Sequence, residues 1–109
     1  MALESSTDGG TTWLPVPFTT TRDGKDPEDH PAGTVTGWSC RVWHRVTAAV
    51  PAAPRLVLRW RYGTDPLYVG RGAYVDALRV EAGGTVLFDG GRPADTARIT
   101  AVGWQASAD

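Results

Sequence analysis

The stretch STDGGTTW, residues 6–13, decides how the rest of the chain is read. Asp8 precedes Gly9 and Gly10, and then come Thr11, Thr12 and Trp13. A short acceptor side chain ahead of residues free to take positive φ is turn chemistry. The spacing Ser6-x-Asp8-x-Gly10-x-Thr12-Trp13 fits the Asp-box, a hairpin pattern that recurs in unrelated β proteins. In that pattern the carboxylate accepts backbone N–H bonds across the turn, and the indole packs beneath it. Ser6, Asp8, Gly10, Thr12 and Trp13 are therefore expected to hold a hairpin together rather than to carry out chemistry. A propeller built on such hairpins needs at least four blades, on the order of 160 residues, with the motif repeated. Here the motif occurs once in 109 residues. A glycoside-cleaving propeller is excluded.

Composition narrows the class further. A chain of 109 residues has room for one modest core, so residues 1–109 are expected to form a single domain. A formal net charge of −1 provides no field that would attract nucleic acid or an acidic membrane surface. No run approaches the roughly 18 apolar residues that a membrane span requires, and no signal peptide is visible ahead of the polar hairpin. Cys40 is the single cysteine, which rules out an internal disulfide. With His44 it lacks the further ligands a zinc site demands.

Strand signals recur at short intervals, and no stretch keeps helical periodicity over three turns. Residues 2–6 and 11–17 flank the Asp8 turn as a hairpin. Residues 19–37 are rich in Gly, Pro and Asp and read as a long polar loop. Residues 41–50 read as a strand. Residues 55–62 are the clearest one, with Leu56, Leu58, Trp60 and Tyr62 on one face and Arg55, Val57, Arg59 and Arg61 on the other. Residues 73–81 alternate likewise, placing Tyr74, Asp76, Leu78 and Val80 on the core side. Gly83 and Gly84 turn the chain into residues 85–88, and a last strand is expected near 98–107. The sum is an all-β domain of about seven strands, an antiparallel β-sandwich of two packed sheets.

LESSTDGGTTW (residues 3–13), Trp43-x-x-Val46-Thr47, LRWRYGTDPLYVGRGAYVDALRV (58–80), GTVLFDGG (84–91) and the late GW (103–104) occur in an order that carries a resemblance. Together they resemble the non-catalytic, jelly-roll (MAM-like) β-sandwich region of secreted immune inhibitor A-type metallopeptidases, family M6. The resemblance spans residues 3–106 and implies a secreted accessory module that flanks a peptidase domain. The family's peptidase signature, H-E-x-x-H, does not occur in this chain, and the second Asp that usually follows YVD is Ala77 here. The chain aligns from an internal strand of the family domain, so an N-terminally truncated module is expected. Sheet edges left open by the truncation imply a partner: a homodimer, or the remainder of a longer polypeptide.

Among candidate site residues, the resemblance makes Asp76 a ligand of a structural Ca²⁺. The alternative is a carboxylate hydrogen-bonded near the end of the sandwich. The loop acids Asp23, Asp26, Glu28 and Asp29 do not fit the EF-hand pattern and read as solvated. Trp43, Trp38 and Trp104 are candidate platforms for a glycan. Trp60 faces the core by parity. His44 reads as a half-buried, hydrogen-bonded histidine. Asp65 reads as a turn-former before Pro66. Ser5, Ser6 and Ser39 lack a His/Asp pairing for nucleophilic chemistry, and the Arg55/Arg59/Arg61 stripe reads as a solvated sheet face. The expected function is therefore a non-catalytic accessory module for stability or for protein and substrate-surface contact. A carbohydrate-binding module is the alternative.

Overall fold

The computed structural model describes residues 1–37, 41–64 and 72–106. Trp38, Ser39, Cys40 and Asp65 lie outside the described residues, as does most of the turn-rich 63–72 segment. The chain is all-β, with three small antiparallel sheets and a single helical turn among the described residues. It divides into two compact units, residues 1–73 and 74–109.

The first unit holds two of the sheets. Strand β1 (Ala2–Ser6) lies between β2 (Leu14–Pro15) and β6 (Val57–Arg61). The register pairs Ser5 with Leu14, Leu3 with Trp60 and Ser5 with Leu58. In the second sheet β3 (Phe18–Thr21) lies between β4 (Glu28–His30) and β5 (Arg45–Thr47). Leu3, Val16 and Phe18 are the buried heart of this unit, with Val35, Ala48, Val50 and Trp60 packed against them. Each such side chain taken from water contributes about 1.5–3 kcal/mol. Phe18 meets Trp60 edge-on, with centroids 5.7 Å apart, an arrangement aromatic pairs favour.

The inward face of β6 was legible in its alternation: Leu58 and Trp60 are half-buried, while Arg61 and Tyr62 are exposed. Tyr62 lies beyond the strand's last pair and does not share the core position its parity suggested. The polar loop expected over 19–37 contains a hairpin instead. Phe18 pairs with His30, Thr19 with Asp29 and Thr20 with Glu28. Polar side chains hid this pairing and also support it. Thr19 Oγ1 donates to Asp29 Oδ1 at 2.7 Å, and Thr20 Oγ1 lies 2.8 Å from His30 Nε2. The strand expected over 41–50 shortens to β5, which borders β3.

Gly33 closes this unit over β1. Its carbonyl accepts the Leu3 N–H at 2.9 Å, and its φ is +69°. A Cβ there would lie 2.8 Å from the Val16 carbonyl oxygen, so only glycine fits.

The second unit is a two-stranded hairpin, β7 (Arg79–Ala82) and β8 (Thr85–Asp89), followed by one turn of helix, α1 (Pro93–Thr96). Gly83 and Gly84, with φ of 56° and 82°, form the connecting turn, as a two-residue hairpin requires. Leu87 is the extra residue of a bulge, because Val80 pairs with Phe88 and Glu81 with Val86. The strand expected from residue 73 begins only at Arg79. Ala77 takes φ +52°, which breaks the extended run and shifts its parity. Val75, Leu78 and Val80 are therefore half-buried, whereas Tyr74 and Asp76 are exposed. Nor do residues 98–106 form a strand. The N–H groups of Arg98 and Ile99 bond back to Asp95 and Thr96, a local turn that removes them from any ladder.

Candidate functional site

The polar groups of the Asp8 hairpin are consumed by the hairpin itself. Asp8 Oδ1 accepts the Ser6 hydroxyl at 2.6 Å, the Thr11 N–H at 3.0 Å and the Thr12 N–H at 2.9 Å. The Thr12 hydroxyl donates to Oδ2 at 2.5 Å. Ser6 Oγ in turn accepts the Gly10 N–H at 2.8 Å, and Trp13 Nε1–H donates to the Gly10 carbonyl at 3.1 Å. Gly9 and Gly10 take φ of 77° and 98°. Bonds from the Ser6 hydroxyl, then from the Thr12 hydroxyl and amide and the Thr11 amide, hold the Asp8 carboxyl well below the usual carboxylate range. All five residues singled out in the sequence meet in this one turn.

A ladder of charge runs from that hairpin across the outer face of β1 and β6. Glu4 Oε1 accepts Nε–H of Arg59 at 3.0 Å and of Arg61 at 2.9 Å. The Arg59 guanidinium lies over the Trp13 ring, 3.9 Å from its centroid, a cation–π contact. Bonds from Arg61 and then Arg59 lower the Glu4 pKa, and Glu4 raises that of Arg61. Of the arginine stripe, Arg59 and Arg61 are thus tied to Glu4 and Arg59 also to Trp13, whereas Arg55 is exposed. Nothing in the sequence linked these residues, because Glu4 and Arg59 are brought together only by the β1–β6 register.

Each glycan candidate is placed by itself. Trp43 is 65 % exposed, whereas Trp104 is half-buried in the second unit. Trp38 lies outside the described residues. Asp76 is exposed rather than core-facing, and its Oδ1 accepts the N–H of Ala77 at 2.7 Å. Among the described residues no three His, Cys, Asp or Glu side chains are gathered for a metal ion. His44 is half-buried as expected, and among the described residues its buried Nε2 has no partner.

Two shallow grooves mark the first unit. One, about 310 Å³, is lined by Phe18, Asp29, His30 and Thr47, between Pro17 and Pro31. The other, about 330 Å³, is walled by Leu14, Pro15, Pro17, Val50 and Pro51. His30 stacks on Phe18, with centroids 4.9 Å apart, and bonds Thr20, while Asp29 is engaged by Thr19. The imidazole and the carboxylate each serve the β3–β4 pairing. No described helix is long and apolar enough to cross a membrane. No family model matches the chain, and no curated protein or solved structure does either.

Proposed function

We propose that this chain is a non-catalytic accessory module of the kind that flanks the peptidase domain of secreted M6 metallopeptidases, and that it acts by contact. In this reading the chain is an antiparallel β-sandwich module bearing an Asp-box hairpin, and it supports stability or engages protein and substrate surfaces. Its partner is a second copy of the chain or the remainder of a longer polypeptide. The observation that carries the reading is the condition of residues 74–106. Leu78, Val80, Val86 and Phe88 are half-buried there, yet none of the described residues of this unit is buried. A two-stranded hairpin alone is marginal in water, so its apolar face gains stability from contact. The engagement of Asp8 and Glu4 in structural bonds also favours this reading.

A casein hydrolysis assay on the purified chain tests the non-catalytic part. The expected result is no turnover; hydrolysis that persists through purification would sink it. A second reading, carbohydrate binding, rests on the exposed indole of Trp43. A glycan array with the native chain and Trp43→Ala decides it. Saturable binding abolished by the substitution would replace the contact-module reading.

A further inference from the structure

We infer that the β7 edge (Arg79–Ala82) joins its counterpart in a second copy of the chain, antiparallel about a twofold axis at Val80, forming a continuous four-stranded sheet. The inference names the partner left open by the contact-module reading and rests on it. Its first support is the direction of the backbone groups. Gly90 N–H donates to the Leu78 carbonyl at 2.8 Å, so the polar groups of residue 78 face β8. Those of Val80, paired with Phe88, do the same. By strand alternation, the N–H and C=O of Arg79 and Glu81 then point to the opposite edge. Among the described residues β7 pairs with β8 alone.

The second support is charge. A twofold at Val80 sets Arg79 of one copy opposite Glu81 of the other, and Glu81 opposite Arg79. It makes the outward-facing residues hydrogen-bonded pairs and leaves Val80 against Val80. Within one chain Arg79 Nε and Glu81 Oε1 are 2.8 Å apart, with side chains 55 % and 51 % exposed. Pairing two copies would therefore give four alternating charges on one sheet face, with opposite signs directly across the strands.

The other edges do not match themselves. For β6, a twofold at Arg59 sets arginine against arginine, and one at Trp60 sets Arg59 against Arg61. For β4, a twofold at Asp29 sets carboxylate against carboxylate. Strand β2 carries Pro15, which has no N–H to donate, and β5 would offer Arg45 only Thr47. The β8 edge is occupied: Arg98 Nη1 donates to the Leu87 carbonyl at 3.4 Å, and Asp95 Oδ2 accepts the Asp89 N–H at 3.0 Å. An exposed edge with alternating opposite charges selects its own sequence as partner and repels the others.

Sedimentation equilibrium of the full chain at micromolar concentration tests this pairing through charge reversal. The native chain is expected to be a dimer. Arg79→Glu alone and Glu81→Arg alone should each weaken it at least about tenfold, because like charges then face one another. The double variant Arg79→Glu/Glu81→Arg restores the alternation and should dimerise again. An equimolar mixture of the two single variants should form a heterodimer, which damage to either fold would not produce. A native chain that is monomeric, a dimer indifferent to both reversals, or single variants that fail to pair with each other would each overturn the inference. None of these outcomes bears on the non-catalytic reading, which the hydrolysis assay tests separately.

Discussion

The hairpins β1–β2 and β7–β8 begin from similar local chemistry and end in different environments. Each turns on adjacent glycines at positive φ, Gly9–Gly10 in one and Gly83–Gly84 in the other, and each brings antiparallel strands into register. Strand β1 then gains β6 on its other side and the Gly33 carbonyl at Leu3, so Leu3 falls to 6 % exposure. Strand β7 gains no second neighbour among the described residues, and Val80 stays half-buried. The comparison separates two sources of order. Turn chemistry sets register locally, but burial needs a second layer of chain. Leu3 is dry; the β7–β8 hairpin is held by bonds such as Asp89 Oδ1 accepting Gly91 N–H and Thr96 Oγ1–H donating to the Gly90 carbonyl.

The sharpest test of this contrast compares two phenylalanines. Phe18 is 4 % exposed and touches both His30 and Trp60, so Phe18→Ala should cost about 3–5 kcal/mol in urea unfolding. Phe88 is half-buried beneath the Arg98 guanidinium, 5.6 Å from the ring centroid, and Phe88→Ala should cost less than about 1.5 kcal/mol. Equal losses would mean that the two units share one level of burial.

Gly33→Ala should follow in size, losing about 1–3 kcal/mol by the same measurement. The new methyl meets backbone atoms of Val16 that have no rotamer through which to retreat. Gly84→Ala, with φ +82° but open space around it, should cost less. If both cost the same, the close approach at Gly33 is not what holds β1 to the 31–35 segment.

For the turn itself, Asp8→Ala should lower Tm by on the order of 5 °C, through loss of the acceptor for Ser6, Thr11 and Thr12. The pH dependence has a definite sign. The folded pKa of Asp8 lies below its ordinary 3.8, so the carboxylate stabilises the fold fully above that pH. Its contribution is lost as pH falls from there through the folded value. Tm of the native chain and of Asp8→Ala should therefore converge on acidification below about pH 4. A gap that stays constant would sever the turn's stability from the ionised carboxylate.

The smallest expected effect concerns a group that the first unit buries without satisfying. Among the described residues His44 Nε2 lacks a partner, and a buried unpaired polar atom is a cost. His44→Leu should gain about 1 kcal/mol. A loss of stability would show that the imidazole makes a bond worth more than its desolvation.

The Asp8 turn, the Gly83–Gly84 turn and the inward parity of Leu58 and Trp60 were legible in the sequence, because each depends on residues within a few positions of one another. The hairpin within 19–37 was not. Its Thr, Asp and His side chains gain their strand role only when Thr19 meets Asp29 and Thr20 meets His30. Asp76 was misplaced by alternation because parity presumes a continuous strand, and Ala77 at positive φ interrupts it. The ladder Trp13–Arg59–Glu4–Arg61 was likewise invisible. By itself the sequence determined which short segments turn and which alternate, since propensity and hydrogen bonding to near neighbours act within one stretch of chain. Only the tertiary structure decided which strands border one another, that Glu4 meets Arg59 and Arg61, and which apolar faces are covered. Burial and long-range pairing depend on residues that the chain brings together from far apart.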